Sequence, residues 1–127
     1  MNMKLIMAVI IVFHGLGHIM GPLVTFGVLK TEGFGGASWL LSDRLHLSQG
    51  AQQALSLLWI VALIGFAATA YGLWFGLGWW RMLAWVNVAL SVLVIGAWWT
   101  SFPGNIPLQA NLGNAAIVAG MLLLKSL

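Results

Sequence analysis

The sequence predicts an all-α integral membrane protein, a single domain folded as an antiparallel bundle of four transmembrane helices. Only 6% of its 127 residues are charged and 61% are hydrophobic, whereas a soluble domain carries about 25% charged residues. The apolar residues also fall into long blocks rather than the short alternating runs of a soluble core. Because no polar surface can be built from this composition, we expect the lipid bilayer to be the solvent of the fold.

Four stretches are long enough to cross a hydrocarbon core about 30 Å thick, which requires about 20 mainly apolar residues in a helix. We predict spans at about 3–26, 54–77, 79–100 and 107–124, with an outer loop at about 27–53. The first stretch is longer than the apolar region of a signal peptide, roughly 7 to 15 residues, so we expect it to stay as a span. Pro107 is typical of the first turn of a helix and predicts the start of the fourth span.

The outer loop contains the segment SWLLSDRLHLS, for which two interpretations stay open. Leucines and Trp39 stand beside polar residues there, a composition that suits a short helix lying in the membrane interface. The alternative is a loop whose leucines cover the end of the bundle. Both interpretations keep this segment outside the four spans.

The positively charged residues predict the orientation of the chain. Lys4, Arg81 and Lys125 fall on one side of the four spans, and Lys30 and Arg44 fall on the other. Because the side richer in Lys and Arg usually faces the cytoplasm, we expect both termini there, in a bacterial inner membrane. These cations are spread thinly along the chain, so the pI of about 10 does not indicate a nucleic-acid partner.

Small residues at helical spacing predict the contact faces, because lipid offers no hydrophobic drive for one helix to bind another. They are Gly17 and Gly21 on the first span, Gly65, Thr69, Gly72 and Gly76 on the second, and Ala116 and Gly120 on the fourth. Tryptophans at both ends of the third span predict aromatic belts at the two membrane interfaces. These are Trp79, Trp80, Trp98 and Trp99.

Two histidines in the segment VFHGLGHIMG provide the main functional signal. His14 and His18 lie about 40° apart around a helix and about 6 Å apart along it, so they form one polar patch. Ionisable groups at such depths usually face the bundle interior and have a partner. Polar residues on the third and fourth spans are predicted to lie at depths in the membrane similar to those of the histidines. These candidate partners are Asn87, Ser91, Asn111 and Asn114. We therefore predict a buried network of histidine, asparagine and serine.

Several roles for this network stay open. A neutral, mutually hydrogen-bonded set would fix helix register without any chemistry. With His46 added, His14 and His18 become candidate ligands for zinc or iron, although two histidines alone do not make a metal site. A haem or pigment would take only one of the two as an axial ligand, because both lie on one face of one helix. The spans contain no Asp or Glu and the chain no cysteine, which argues against acid-dependent cation export and excludes thiol chemistry.

The segment FHGLGHIMG resembles the first-span pattern of DoxX-like small membrane proteins. The resemblance is specific at His14, Gly15, His18 and Gly21. It is weaker at Trp59, Trp79, Trp80, Ser91 and Asn114, and it extends to the layout of all four spans. It implies a four-helix bundle, associated in some members with quinone-linked or oxidative-stress complexes. This chain departs from the pattern in having no acidic residue in span two.

These observations predict an accessory or assembly subunit of a larger membrane complex, in contact with other subunits or with a second copy, and with a buried His/Asn site. The alternative is a membrane redox component that binds a quinone, haem, pigment or metal at His14 and His18. The sequence identifies no catalytic residue.

Overall fold

The structure, a computed structural model, describes residues 2–124. Its α-helices are α1 (Met3–Gly17), α2 (Met20–Thr25), α3 (Gln49–Phe75), α4 (Trp80–Ala97) and α5 (Ile106–Leu124). Because α1 and α2 together form one segment, Met3–Thr25, four segments are long and apolar enough to cross a membrane. The predicted all-α, four-helix membrane bundle is confirmed.

The four spans pack in a ring, in which α1 and α4 each contact both α3 and α5. Two clusters of buried apolar side chains fill the bundle. One, built around Phe66, Trp80 and Ile117, lies toward the end at which α1 begins. The other, built around Trp59 and Trp98, lies toward the outer connection. The bundle therefore has an apolar core at each end.

The ends of helix α3 are determined by capping residues, and its first residue differs from the predicted one. Helix α3 begins at Gln49 rather than near residue 54, because the Ser48 hydroxyl accepts a hydrogen bond from the Ala51 N–H at 3.2 Å. It ends at Gly76, whose φ of 69° is left-handed and suits a glycine. The chain then turns directly into α4, so these two helices form a tight hairpin.

The first span is broken near its middle. A turn at His18 and Ile19 separates α1 from α2, and the His18 N–H bonds to the Gly15 carbonyl at 3.0 Å. Pro22 explains the break, because it has no N–H to donate to the carbonyl four residues earlier and its ring crowds that carbonyl. His18 therefore lies at a local change of backbone direction.

The outer connection covers one end of the bundle. Within it, Trp39–Arg44 forms a π-helical turn that packs against α4. The indole N–H of Trp39 donates to the Gly96 carbonyl at 2.8 Å, and the Ser38 hydroxyl donates to the carbonyl of Ala97. The segment closes this end of the bundle, as the second sequence interpretation expects, and it does so with a short helical turn.

Two expectations about the helix surfaces are wrong in part. Trp80 and Trp98 are buried, with 7% and 2% of their surface exposed, whereas Trp79 and Trp99 are exposed. The first pair belongs to the core because α4 turns one face inward along its whole length.

Among the small residues, Gly17 is exposed, and a Cβ there would meet nothing within 4 Å. The close approach occurs at Gly15, where a Cβ would lie 2.8 Å from the Cβ of Phe66. Gly76 ends a helix instead of lining a contact. Predicted contacts are confirmed at four glycines, where an added Cβ would overlap a neighbouring side chain: Gly21 faces Trp59, Gly65 faces Asn87, Gly72 faces Trp80 and Gly120 faces Met7.

Candidate functional site

A polar layer lies in the middle of the bundle, between the two apolar clusters. His14 and His18 come from the first span, Ser91 from α4 and Asn114 from α5. His18, Ser91 and Asn114 are 2%, 0% and 3% exposed, and His14 is half-buried. Because α1 and α4 stand diagonally across the bundle, these side chains bridge its centre. Three of the four side chains are therefore shielded by the helices around them, and His14 stays partly accessible.

Short hydrogen bonds connect the side chains of this layer. The Nε2 of His18 lies 2.8 Å from the Ser91 Oγ, and the Asn114 Nδ2 donates to the same oxygen at 2.9 Å. The Nε2 of His14 lies 2.8 Å from the Asn114 Oδ1. Finally, the Nδ1 of His18 lies 3.0 Å from the backbone carbonyl oxygen of His14. The bonds form a closed circuit from the first span through α4 and α5 and back.

The backbone carbonyl sets the direction of every bond in this circuit. A carbonyl can only accept, so the Nδ1 of His18 carries a proton and, in the neutral ring, Nε2 accepts from the Ser91 hydroxyl. The Ser91 oxygen in turn accepts from the Asn114 amide, whose Oδ1 then faces His14. We assign the proton of His14 to Nε2 for this reason. A neutral, fully directed circuit is what a membrane interior favours, because charge there is costly.

The other predicted site residues occupy three different positions. Asn111 joins the circuit, since its Oδ1 accepts from the Asn114 amide at 3.1 Å. Asn87 does not join it; its amide donates to the Thr69 hydroxyl at 3.3 Å and ties α4 to α3. His46 lies exposed in the outer connection, apart from the other two histidines.

A cavity of about 260 Å³ adjoins the polar layer on the side where α1 meets α5. Both histidines form part of its wall, and most of the remaining wall is apolar. The lining residues are Phe13, His14, Gly17, His18, Met20, Trp59, Ile95, Phe102, Ile106, Pro107, Gln109 and Ala110. Because Phe13 and Ile106 are exposed on the outer surface of the bundle, the cavity lies next to the lipid.

Aromatic rings surround the imidazoles. The ring of Phe66 lies 5.0 Å from that of His14 and is nearly perpendicular to it, at 77°. Trp59 lies 5.5 Å from the ring of His18. The indole N–H groups of Trp59 and Trp98 are the buried side-chain polar atoms within residues 2–124 that make no hydrogen bond. Trp59 therefore combines a ring that lines the cavity with an N–H that is itself buried and makes no hydrogen bond.

Sequence reasoning missed Gly113, which makes room for one of the histidines. A Cβ at this position would lie 2.5 Å from the Nδ1 of His14. That nitrogen makes no hydrogen bond to the residues that the structure describes, so it keeps a free lone pair. The residue type of Gly113 offered a signal, because small residues allow close approach between membrane helices.

The geometry restricts metal chemistry at this site. Both nitrogens of His18 are engaged in hydrogen bonds, and His14 offers only Nδ1. Across residues 2–124, no group of three or more His, Cys, Asp or Glu side chains is placed to hold a metal ion. The candidate set of His14, His18 and His46 is not assembled, because His46 is exposed in the outer connection. Haem ligation through Nε2 of either histidine would break the circuit.

The fold and the site together define a small multi-pass membrane protein with a polar layer at the centre of its bundle. No protein family, curated protein or solved structure matches this chain.

Proposed function

We propose that this protein binds the ring of a lipid-soluble quinone in the cavity beside His14 and His18, as a component of a membrane redox system. The cavity is the observation that supports the proposal, because it brings a lipid-facing entrance and two imidazoles together. A ligand that arrives through lipid needs such a lateral opening. The proposal thus favours the redox alternative drawn from the sequence.

The size and walls of the cavity favour a single flat ring. Its volume of about 260 Å³ is slightly below the range of about 300–1,000 Å³ typical of ligand pockets. A macrocycle such as a haem or a chlorin needs far more room than one ring. Phe13, Trp59 and Phe102 supply aromatic faces, against which flat rings pack favourably.

The polar groups at the cavity suit a ligand with carbonyl and hydroxyl oxygens. Trp59 brings an N–H without an acceptor, and a buried donor without a partner costs about 1–3 kcal/mol. His14 also lines the cavity, and its Nδ1, which lies against Gly113, is not used by the circuit. A quinone carbonyl accepts hydrogen bonds and a quinol hydroxyl donates them, so both redox forms match the available groups.

The DoxX-like resemblance supports the same proposal, since it associates such bundles with quinone-linked complexes. Our proposal includes that the protein belongs to a bacterial inner membrane and that both of its termini face the cytoplasm. Lys4 and Arg81 stand at the end where α1 begins, and Lys30 and Arg44 belong to the outer connection. Lys125, which completes the charge argument, lies outside the described residues.

A second proposal is the accessory or assembly subunit of a larger membrane complex. It is supported by the closed hydrogen-bond circuit, which uses three of the four imidazole nitrogens and serves to fix how α1, α4 and α5 pack. In this role the network is structural and the cavity holds lipid. Partner subunits or a second copy would then contact the apolar outer faces of the helices.

Titration of the detergent-solubilised protein with a short-chain ubiquinone, followed by tryptophan fluorescence, tests the quinone proposal. We expect saturable quenching in the parent protein. Gly17→Leu places a side chain in the cavity without touching the circuit, because a Cβ at Gly17 meets nothing within 4 Å, and we expect it to abolish binding. Gly50→Leu on α3 is the matched control, since Gly50 is also exposed, a Cβ there meets nothing within 4 Å, and it lies outside the cavity.

Equal quenching in the parent and the Gly17→Leu variant would contradict a site in this cavity. Substituting His14→Asn and His18→Asn separates the two proposals. A purely structural network predicts lower thermal stability with no change in any bound molecule. Loss of extractable quinone from a variant that remains folded supports the binding proposal. Copurification of larger subunits in mild detergent, with no quinone present, supports the accessory role instead.

A further inference from the structure

A second cleft lies at the opposite end of the bundle from the outer connection. Its volume is about 490 Å³, and it is formed where α1 and α4 begin and where α3 and α5 end. The residues that line it are Asn2, Met3, Lys4, Leu73, Gly76, Trp80, Arg81 and Leu124. The circuit of histidines and the quinone cavity take no part in it.

The charged side chains of this cleft are both positive. Lys4 and Arg81 line it together, and the acidic residues of the chain, Glu32 and Asp43, belong to the outer connection at the other end. No carboxylate side chain of residues 2–124 therefore neutralises this pair. Two cations at one cleft attract an anion strongly, because the surrounding apolar medium screens them less than water does.

Arg81 is held in place by the backbone and by an aromatic ring. Its two terminal nitrogens donate to the carbonyls of Met121 and Leu124, each at 3.0 Å, and its guanidinium carbon lies 4.8 Å from the ring centre of Trp80. A guanidinium has five N–H donors. The other three make no hydrogen bond within the described part of the chain, so a positioned fork stays available for a phosphate oxygen.

Lys4 contributes the second positive charge of the cleft. It stands in the first turn of α1, where its backbone N–H donates to the Asn2 side chain at 3.0 Å. The helix start carries a partial positive charge that adds to the charge of the ammonium group. The Lys4 side chain is exposed, so it can reach a group bound at the membrane surface.

From this arrangement we propose that Lys4 and Arg81 bind the phosphate of an anionic phospholipid. The apolar walls of the cleft are formed by Met3, Leu73 and Leu124. They suit the upper part of the acyl chains of a phospholipid, whereas a soluble phosphate would make no favourable contact with them. Basic clefts between transmembrane helices at the membrane surface are typical sites for anionic headgroups. The proposal is independent of the quinone site, which lies beyond the apolar cluster built around Phe66.

The test uses native mass spectrometry of the protein released from nanodiscs that contain phosphatidylglycerol and phosphatidylcholine in equal amounts. We expect one retained phosphatidylglycerol per chain. Each Lys or Arg near a membrane surface contributes enough to lower the affinity about fivefold when it is removed. Lys4→Gln should therefore bind phosphatidylglycerol about fivefold more weakly and retain clearly less than one lipid per chain. Lys30→Gln, an exposed lysine of the outer connection, is the matched control and should retain it.

Two further measurements keep the outcome clear. Arg81→Lys preserves the charge and removes the planar fork, so it should also reduce retention, with circular dichroism confirming the helical fold. Inorganic phosphate added in detergent should not displace the lipid. Retention that is equal for the two phospholipids, unchanged by Lys4→Gln, or abolished by inorganic phosphate would overturn the proposal of an anionic phospholipid site.

Discussion

The Nδ1 nitrogen of His18 lies 3.0 Å from the carbonyl oxygen of His14, one helical turn earlier in the chain. This contact fixes the proton on one side of the imidazole, because a carbonyl cannot donate. The donor and acceptor of each remaining bond are then determined in turn, first at Ser91, next at Asn114 and finally at His14. The polar layer is therefore a directed chain of hydrogen bonds anchored to the backbone.

Ser91 is the branching point of the circuit, and its hydroxyl is expected to contribute strongly to stability. Ser91→Ala removes the partner of the His18 Nε2 and one partner of the Asn114 amide. Leaving such buried groups unsatisfied costs about 1–3 kcal/mol. We expect a corresponding decrease in the free energy of unfolding, measured by denaturation in detergent micelles. Val92→Ala, an exposed neighbour on α4, should change it far less, and equal effects would contradict the role of Ser91.

Gly113 is expected to be essential because its lack of a side chain makes space for His14. In Gly113→Ala the new Cβ would lie 2.5 Å from the Nδ1 of His14, so the imidazole must shift and its bond to Asn114 weakens. We expect a lower unfolding temperature. Gly17→Ala on α1 is the control, because its Cβ meets open space and alanine favours helix. A decrease of similar size in both variants would show that Gly113 is not special.

The two buried asparagines should differ in what they control. Asn114→Ala removes the nearer acceptor of the His14 Nε2–H and leaves only the Ser91 oxygen at 3.4 Å, so we expect the imidazole ¹⁵N signals of His14 to change. Asn87→Ala breaks only the contact with Thr69 and should lower stability while those signals stay unchanged. A change in the His14 signals on Asn87→Ala would extend the circuit to Asn87.

The outer connection should be held to the bundle by Trp39. Trp39→Phe keeps the aromatic ring and removes the N–H that donates to the Gly96 carbonyl at 2.8 Å. We expect faster amide hydrogen exchange in the π-helical turn Trp39–Arg44 and unchanged exchange in α3. Unaltered exchange in the turn would show that the other contacts of the segment are sufficient.

The four spans were predictable because their signal is local. Length, hydropathy and the near absence of charge decide a transmembrane helix, and these are read directly from the chain. Helix ends were less predictable, since Ser48 extends α3 by a capping bond that hydropathy does not register. The break at His18 also escaped prediction, although Pro22 stands four residues beyond it in the sequence.

The site was predictable in its residue types and only in part in its connections. The spacing of His14 and His18 indicates one face, and depth alone suggests Ser91 and Asn114 as partners. The predicted depth in the membrane does not show which of Asn87 and Ser91 binds the histidines, because the two residues lie one turn apart on the same face of α4. The neighbouring helix decides between them, since Thr69 stands opposite Asn87. The cavity and Gly113 depend on how α1 meets α5, which no single segment contains.

Nitrogen NMR of ¹⁵N-histidine-labelled protein in lipid bilayers tests the directed circuit most directly, with His46→Gln used to remove the third signal. The circuit predicts that His18 carries its proton on Nδ1 and accepts on Nε2. It also predicts that His14 carries its proton on Nε2 and leaves Nδ1 bare. Spectra with the His18 proton on Nε2, or with either ring exchanging freely between its two neutral forms, would contradict it.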